Sequence, residues 1–363
     1  MRKGNQSVNH NSQITNQKFR RLLLGWFRHH ARPLPWRVKT SPYAVWVSEV
    51  MLQQTQVATV IPYFRRFLRA FPTVTSLAQA PLDRVLELWS GLGYYRRARH
   101  LHQAARDLVE RFDSRFPRGF KQACSLPGVG QYTASAVLSI AYNLSFPVLD
   151  GNVARVVARL LALRGNLHQP AFRRTVEREL AGLISRRQPG NFNQALMELG
   201  QTVCLPSAPR CPECPLRSLC QAYGAGQPES YPTPRPRRAA ELRHLASAVI
   251  TRDNRVLMVR GLDDGLLGDL WNFPSSFGAS GADARNRLER KLQTLLPGEL
   301  RFSPPIGELR HGITFRSIQV ALHPVQFSGR FANGAARWFT LARLGGAAVS
   351  QLARKIGRRV QEV

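Results

Sequence analysis

The stretch SLPGVGQYTASAV, residues 125–137, places two glycines, Gly128 and Gly130, directly before a segment with a helical pattern. Glycine permits positive φ angles and lets another backbone approach closely. The N–H groups that begin the next helix then point outward, and a helix start of this kind binds phosphate. A G-x-G turn alone is also found in ordinary connections between helices, so its meaning depends on the rest of the chain.

The charge of the chain favours a polyanionic partner. The 363 residues carry a formal net charge of +30, and residues 1–240 hold 34 basic and 12 acidic residues. Dense phosphates fit such an excess best, with an anionic membrane surface as the alternative. We find no strongly basic amphipathic helix and no apolar run of the roughly 20 residues that span a bilayer. We therefore expect a soluble, cytoplasmic protein that binds nucleic acid and no membrane.

Two regions with different patterns follow one another. Residues 17–225 place apolar residues three and four apart and turn at Pro and Gly, which predicts an all-α unit. The polar residues 1–16 lack the apolar core of a signal peptide and predict a disordered tail. The proline-rich residues 226–240 predict a linker. Residues 241–363 combine strand patterns with two helices, so the predicted fold class is multidomain, α and then α+β.

Four cysteines lie in the segment CLPSAPRCPECPLRSLC with the spacing C-x6-C-x2-C-x5-C. Four thiolates in one short loop can close a tetrahedral zinc site or hold an iron–sulfur cluster, and spacing alone does not choose between them. The prolines of the loop stiffen it, which favours a structural site. The candidate ligands are Cys204, Cys211, Cys214 and Cys220.

One candidate carboxylate is Asp150, in FPVLDGNVARV, directly before a helix with an apolar stripe. Such a residue caps the helix or lies in its first turn, which is also compatible with catalysis. The positive end of a helix favours an anion and keeps the carboxylate ionised. An ionised Asp can stabilise a sugar oxocarbenium ion or attack it.

A second candidate carboxylate is Glu49, in YAVWVSEVMLQQTQV, on a helix that Ser41 and Pro42 begin. We expect Glu49, Gln53 and Gln56 to share one face of that helix, either as a solvated polar face or as a buried stripe that reads a base. Burial in an apolar pocket raises the pKa of a carboxyl, which can then act as a general acid. One protonated and one ionised acid are what glycosidic cleavage needs.

The cysteine spacing resembles the iron–sulfur loop of the endonuclease III-like DNA glycosylases, and LPGVG resembles their helix-hairpin-helix motif. The segments PWR, SEVMLQQTQV, WSGLGYYRRARHLH and LDGNV are similar to the adenine DNA glycosylases (the MutY family) and occur in order. The resemblance implies an all-helical helix-hairpin-helix glycosylase core. It divides that core into a six-helix barrel part at 34–145 and an iron–sulfur part formed by 17–33 with 146–225. It also implies one [4Fe–4S] cluster on the four cysteines, and a monomer.

The resemblance implies removal of adenine opposite 8-oxoguanine, or opposite G, from duplex DNA. The adenine would be flipped out of the helix for the chemistry. Glu49 would protonate it, and Asp150 would stabilise the cation or act as nucleophile. Tyr132 and Asn152 match positions that support these steps, and Gln54 and Tyr94 match residues that enter the base stack. Arg37, Leu92 and Gln194 match positions of the pocket or the lesion side. Gly128 and Gly130 would hold a DNA phosphate.

Residues 241–363 resemble the Nudix-like α/β C-terminal domain of the same family, with LLGDLWNFPSS as the matching segment. A working Nudix hydrolase needs a glutamate-rich helix, and ADARNRLERKLQTLL offers only Glu289. We therefore expect this domain to recognise the base opposite the adenine. Where the family often has Phe-Ser-His, this chain has Ile313, Thr314 and Phe315, of which Thr314 keeps a hydroxyl group for the lesion.

Three other functions compete with this interpretation. Another endonuclease III-like glycosylase would act on a damaged or mismatched pyrimidine, and its lyase members resemble LPGVGxKTA, where a lysine forms a Schiff base. This chain has Tyr132 at that position, which predicts a monofunctional enzyme. A Nudix hydrolase joined to a DNA-binding module would need the missing glutamates. A non-catalytic DNA-binding protein would not need Glu49.

Overall fold

The structure is a computed structural model that describes residues 6–38, 40–234, 239–262, 270–313, 315–329, 336–345 and 347–362, with side chains from residue 16 onward. The chain forms two compact units: residues 1–79 with 100–236, and residues 80–99 with 237–363. Among the described residues, no helix combines the length and the apolar character needed to cross a bilayer.

The helices carry the predicted all-α pattern through the first part of the chain and recur in the second. In chain order they are α1 (Gln6–His30), α2 (Pro35–Val38), α3 (Pro42–Leu52), α4 (Val57–Ala70), α5 (Val74–Gln79), α6 (Leu82–Trp89), α7 (Arg96–Arg111), α8 (Phe120–Cys124), α9 (Gln131–Tyr142), α10 (Gly151–Leu160), α11 (Pro170–Leu183), α12 (Pro189–Thr202), α13 (Gln221–Gly224), α14 (Gly281–Leu295) and α15 (Gln351–Gln361).

The first helix begins earlier than the sequence predicts. Residues 1–16 were expected to form a disordered tail, whereas α1 starts at Gln6. Phe19 and Leu23 are fully buried in a core shared with α10, α11 and α12. That anchored stretch nucleates the helix, and adding residues to an existing helix costs much less than starting one.

The expectation that Glu49, Gln53 and Gln56 share one face of a single helix is wrong. Helix α3 ends at Leu52 and α4 begins at Val57. Between them Gln54 adopts a left-handed conformation with φ of 55°. The side chain of Gln53 donates to the Thr133 hydroxyl over 3.3 Å, which holds the turn against α9. Gln56 therefore caps α4 and does not continue the face that carries Glu49.

Close packing of α12 against α10 positions the start of α10. Gly200 on α12 lies so near α10 that a Cβ atom there would meet the Asn152 Cβ at 2.8 Å. The apolar stripe of α10 is buried as predicted at Val153, Val156 and Val157. The backbone around Asp150 and Asn152 is therefore fixed by this packing.

The strands of the second unit are β1 (Glu241–Val249), β2 (Thr251–Arg252), β3 (Arg255–Arg260), β4 (Trp271–Asn272), β5 (Ser275–Gly278), β6 (Gly298–Phe302), β7 (Gly307–Ile313), β8 (Arg316–Gly329) and β9 (Ala336–Thr340). Within the part of the chain that the structure describes, they form two sheets. One has the order β5-β1-β8-β6 with β7 also paired to β8, and the β1–β8 pair is parallel. The other joins β2, β3 and β4, with β9 paired to β3.

The turn at Asp253 and Asn254 joins β2 to β3 with both residues at positive φ, the conformation that two-residue hairpin turns favour. Part of the predicted linker is bound to the first unit. The Tyr231 carbonyl accepts from the Arg159 guanidinium over 3.0 Å, and Thr233 N–H donates to the Gly165 carbonyl over 2.9 Å. Residues 235–238 of the linker lie outside the described residues.

Candidate active site

A cavity of about 1030 Å³ lies in the first unit, between the C-terminal half of α3, the start of α9, the start of α10 and one face of α12. Most of the residues that the sequence singles out for catalysis and for the pocket line this cavity. They are Arg37, Glu49, Gln54, Gly130, Tyr132, Asp150, Asn152 and Gln194.

Glu49 lies inside α3 with only 4% of its surface exposed. The helix begins as predicted, since Ser41 accepts a hydrogen bond from Ala44 N–H over 3.1 Å and Pro42 follows it. Burial raises the pKa of Glu49 to about 7, and the negative Asp150 adds to the rise, while the Tyr132 hydrogen bond and the Arg37 charge oppose it. Of the two sequence interpretations, the buried polar position is therefore confirmed over the solvated face.

Tyr132, two residues after Gly130, is the hydrogen-bond partner of Glu49. Its hydroxyl donates to Glu49 Oε2 over 2.7 Å and lies 3.7 Å from the Met197 sulfur. Burial raises the pKa of Tyr132 well above its usual range, and the neighbouring carboxylates add to the rise. The phenol is therefore neutral and acts as a donor that leaves the second Glu49 oxygen available.

Asp150 caps α10, as the sequence predicts. Its Oδ1 accepts from Val153 N–H over 2.7 Å and its Oδ2 accepts from the Asn152 amide over 3.0 Å. Both bonds go to the carboxylate, and the positive end of the helix favours the same charge. Asp150 thus lies at the wall of the cavity that Glu49 also lines, with each of its carboxyl oxygens hydrogen-bonded.

Asn152 connects Asp150 to the cysteine segment through Arg155. The Arg155 guanidinium donates to Asn152 Oδ1 over 2.9 Å, to the Gly200 carbonyl over 2.8 Å and to the Cys204 carbonyl over 2.8 Å. These bonds fix which end of the Asn152 amide faces Asp150.

A buried glutamate, Glu198 on α12, holds two arginines beside the cavity. It is 1% exposed and forms ion pairs with Arg32 and, over 2.9 Å, with Arg37. Burial alone would raise the pKa of Glu198, but the Arg32 and Arg37 contacts outweigh it and hold that pKa below its usual range. Arg37 also donates to Gln194 Oε1 over 3.0 Å, so both predicted pocket residues belong to this network.

The hairpin between α8 and α9 needs glycine at one of its two glycine positions. Gly128 has φ of +72°, and a Cβ there would lie 2.6 Å from the His100 Cβ. Gly130 differs from the expectation of positive φ, because its φ is −84° as the N-cap of α9. A Cβ at Gly130 would meet nothing within 4 Å. Its lack of a side chain therefore leaves open space in front of the helix start.

The cysteine segment after α12 is held in place by Arg159, which is 2% exposed. Its guanidinium donates to the Leu205 and Pro206 carbonyls and lies 3.4 Å from the Cys204 sulfur. Burial raises the pKa of Cys214 to about 12, and the charges of the other three thiols add to the rise. Cys204, Cys211 and Cys220 thus act electrostatically on Cys214. No group of three or more His, Cys, Asp or Glu side chains among the described residues has the arrangement of a metal-ion site.

Two of the predicted DNA contacts, Tyr94 and Leu92, belong to the second unit and differ in exposure. Tyr94 is 47% exposed, whereas Leu92 is 5% exposed, so the leucine side chain is buried in this structure. Ile313 ends β7 and pairs with Arg316, the first residue of β8. Thr314, the predicted contact between the two strands, lies outside the described residues. Glu289 pairs with Arg285 over 3.6 Å on α14.

Comparison with known proteins identifies the family. Residues 47–184 match the model of the HhH-GPD superfamily base excision DNA repair proteins. The adenine DNA glycosylase of Rattus norvegicus is 34% identical over 403 residues, covering 95% of this chain and 78% of the rat protein. The human one is 33% identical over 409 residues, covering 94% and 74%. The chain belongs to the adenine DNA glycosylase family.

Other matches cover the helical part of this base excision repair enzyme. The adenine DNA glycosylase of Buchnera aphidicola subsp. Baizongia pistaciae is 41% identical over 211 residues, which span 58% of this chain and 60% of the relative. A solved structure of a thermostable thymine-DNA glycosylase matches with a TM-score of 0.54 and 25% identity, covering 59% of this chain and 98% of that one. The matched superfamily segment includes Glu49, Tyr132, Asp150 and Asn152.

Sequence reasoning missed Glu198 and Arg155. Glu198 stands in NQALMELG, where a single acidic residue interrupts a run of apolar helix positions, and that interruption was the available signal. Arg155 stands in the polar gaps of an amphipathic helix, where an arginine is ordinarily solvated. Only the fold brings the Asn152 side chain and the Cys204 carbonyl within its reach.

Proposed function

We propose that this DNA glycosylase removes adenine mispaired with 8-oxoguanine or G from duplex DNA by hydrolysing the N-glycosidic bond. The observation that carries the proposal is the pair of carboxyl groups on one cavity. Burial raises the pKa of Glu49 to about 7, whereas the Asp150 carboxylate accepts two hydrogen bonds at a helix start. Family membership supports adenine as the base.

Glu49 acts as the general acid. Adenine is a poor leaving group until a ring nitrogen is protonated, and a carboxyl with a pKa near the working pH is suited to deliver that proton. Tyr132 donates to one oxygen of Glu49, which leaves the other oxygen to carry the proton toward the base. The base must leave the stack to enter the cavity, since the reaction centre is inaccessible within a duplex.

Asp150 stabilises the positive charge that develops on the sugar as the bond to the base breaks, or attacks the sugar carbon. The Val153 N–H and the Asn152 amide fix the carboxylate, so little reorganisation accompanies charge development. Arg155 keeps the Asn152 amide directed at Asp150. Water completes the hydrolysis and leaves an abasic site.

The enzyme is monofunctional. A lyase needs an amine that forms a Schiff base with the sugar. Among the described residues that line the cavity none is a lysine, and Tyr132 stands at the position where the lyase enzymes carry one. Its phenol is neutral because burial raises its pKa well above the usual range.

The donor set of the cysteine segment fits one [4Fe–4S] cluster, held by Cys204, Cys211, Cys214 and Cys220. Burial, with a contribution from neighbouring thiols, raises the pKa of Cys211, Cys214 and Cys220, and the Arg159 guanidinium lies 3.4 Å from the Cys204 sulfur. A bound cluster would have a structural role and would fix the segment between Cys204 and Cys211 for contact with the DNA backbone. Gly128, Gly130 and the start of α9 would hold a phosphate, and the protein would act as a monomer.

The second unit recognises the base opposite the adenine. Gln54 and the exposed Tyr94 enter the base stack around the mispair, and the segment around Thr314 contributes a hydroxyl. Leu92 is buried, so it supports this loop from within in the DNA-free protein.

Single-turnover cleavage of duplexes with A opposite 8-oxoguanine, A opposite G and A opposite T tests this function. We expect the rates to fall in that order, with an abasic product and little adduct after borohydride. A high yield of a trapped enzyme–DNA adduct would contradict monofunctional chemistry. Absence of cleavage of both mispairs by correctly folded enzyme would contradict the proposed activity.

A further inference from the structure

The loop between α6 and α7, residues 90–95, has an unusual backbone. Gly93 has φ of 72° and Tyr94 has φ of 48°, a conformation that an aromatic residue rarely adopts. Such residues persist only where their surroundings hold them. The loop that carries Tyr94 must therefore be fixed by contacts beyond its own sequence.

One set of contacts comes from the flanking helices. The Trp89 indole N–H donates to the Gly93 carbonyl over 3.1 Å. The Arg97 guanidinium donates to the Leu92 and Gly93 carbonyls over 3.2 and 3.1 Å, and it lies 5.3 Å from the Tyr94 ring centre. These contacts hold the tip of the loop and support the exposed ring of Tyr94.

A second set comes from the far end of the chain and holds the base of the loop. Ser90 is 3% exposed, and its hydroxyl accepts from Arg354 Nη2 over 2.7 Å and donates to the Val349 carbonyl over 3.1 Å. The Gln351 amide donates to the Gly91 carbonyl over 3.4 Å. The Ser90 hydroxyl thus donates to the segment that leads into α15 and accepts from a side chain of α15 itself.

That segment is itself rigid. Val349 forms a β-bridge with Trp271, and Ser350 N–H donates to the Trp271 carbonyl over 3.3 Å. Ser350 caps α15 by accepting from Ala353 N–H over 2.9 Å, and Leu352 and Ile356 are buried in the core of the second unit. The loop is consequently fixed to a structured element and not to a mobile terminus.

We propose that Ser90, Gln351 and Arg354 are positioning residues through which α15 sets the conformation of the Leu92–Tyr94 loop during recognition of the mispair. The inference rests on the role of Tyr94 under the proposed function. It gives the C-terminal part of the chain a second route to specificity, besides direct contact from the segment around Thr314. Loss of the anchor releases the base of the loop, and Tyr94 then relaxes from its left-handed conformation.

The test uses the full chain with Ser90→Ala and Arg354→Ala, and with Arg358→Ala as the matched control. Arg358 is an exposed arginine on the same helix, so its removal changes the charge equally. Hydrogen exchange reports directly on the loop. We expect amides of residues 90–95 to exchange about tenfold faster in both anchor variants and at the parental rate in the control, while α9 and α10 keep their protection.

The functional measurement is the single-turnover rate on A opposite 8-oxoguanine divided by the rate on A opposite G, which reports the preference between the two mispairs. We expect each anchor variant to lower that ratio about 3- to 10-fold, Ser90→Thr to restore most of it, and Arg358→Ala to leave it unchanged. The same anchor changes made in a Tyr94→Ala background should have almost no further effect, because the loop is their only route to the ratio.

The outcomes separate the inference from the proposed function. If Tyr94→Ala lowers the ratio and the anchor changes lower it additively, or leave loop exchange unchanged, the inference is overturned and the role of Tyr94 stands. If Tyr94→Ala leaves both rates unchanged while mispair cleavage persists, the role of the loop and the inference fail together, but the glycosylase activity stands.

Discussion

The interior of α3 and the N-terminus of α10 each place a carboxyl group on the same cavity, but in different surroundings. Glu49 is 4% exposed within α3, and burial raises its pKa to about 7. Asp150 stands at a helix start and accepts hydrogen bonds from Val153 N–H and the Asn152 amide. Burial within a helix therefore suits Glu49 to act as the acid, and the N-terminus of a helix suits Asp150 to act as the anion.

The largest expected effect follows from removing the acidic proton of Glu49. Glu49→Gln keeps the shape of the side chain but has no proton to give, so the single-turnover rate should fall about 10²- to 10⁴-fold. The matched control is Glu110→Gln on α7, an exposed glutamate, which should leave the rate unchanged. Binding of the mispaired duplex should persist in both variants. An E49Q enzyme that retains the parental rate would remove Glu49 from the chemistry.

Two substitutions distinguish the charge of Asp150 from its role as the N-cap of α10. Asp150→Asn keeps a side chain that caps helices equally well, so stability should change little while the rate falls about 10²- to 10³-fold. Asp150→Ala should lose the rate and, in addition, about 1 kcal/mol of stability. Chemical denaturation together with cleavage assays distinguishes the two variants. Equal stability losses in both would mean that capping is not a separable function of this residue.

The alkaline limb of the pH–rate profile sharpens the comparison. The rate should decline above about pH 7 because Glu49 loses its proton there. The Tyr132 hydrogen bond lowers the pKa of Glu49, so Tyr132→Phe should move this limb to higher pH. The negative Asp150 raises the same pKa, so the residual limb of Asp150→Asn should move to lower pH. Shifts in the opposite directions would contradict the assigned causes.

The pKa of Glu49 also predicts how stability depends on pH. The folded state keeps a proton that the unfolded chain releases between its ordinary value of 4.5 and about 7. Stability from this group is therefore present below pH 4.5 and decreases as the pH rises to about 7. Urea unfolding from pH 5 to 8 should show that decrease in the parental enzyme and a weaker pH dependence in Glu49→Gln. The same pH dependence of the free energy of unfolding in both proteins would mean that the Glu49 carboxyl does not cause the decrease.

The smallest effect concerns the network behind the acid. Glu198→Gln leaves Arg37 partly buried beside the cavity without its ion pair, at a cost of about 2 kcal/mol of stability. The cost is moderate because the Arg32 side chain is 36% exposed and regains water. Glu177→Gln on α11 is the control, because its carboxylate pairs with Arg173 at the surface and both side chains are at least 40% exposed. Denaturation curves that coincide for the parental enzyme and Glu198→Gln would show that the two arginines do not depend on this carboxylate.

Local signals in the sequence predicted the features that depend on neighbouring residues. Ser41 and Asp150 cap their helices, and Gly128 takes the positive φ of the hairpin. These follow from the conformational preferences of a few adjacent residues. The family resemblance, which rests on motifs that occur in order, predicted the helical glycosylase core and assigned Glu49 and Tyr132 to the same reaction.

Features that depend on contacts across the fold were not predictable in this way. The break of α3 at Gln54 rests on the bond from Gln53 to Thr133, which is 80 residues away. Glu198 is held by arginines more than 150 residues earlier in the chain. Residues 80–99 form one compact unit with residues 237–363, which follow them by more than 130 positions in the chain. Apolar periodicity carries no information about such partners.

The protonation state of Glu49 at neutral pH is the central claim, and it can be measured without DNA. Carbon-13 NMR of the full-length protein with labelled glutamate carboxyls, compared with the spectrum of Glu49→Gln, isolates the titration of this one group. The account predicts an apparent pKa of about 7. A carboxyl that titrates near its ordinary value of 4.5 would contradict it, because Glu49 would then be an anion like Asp150 and could not supply the proton.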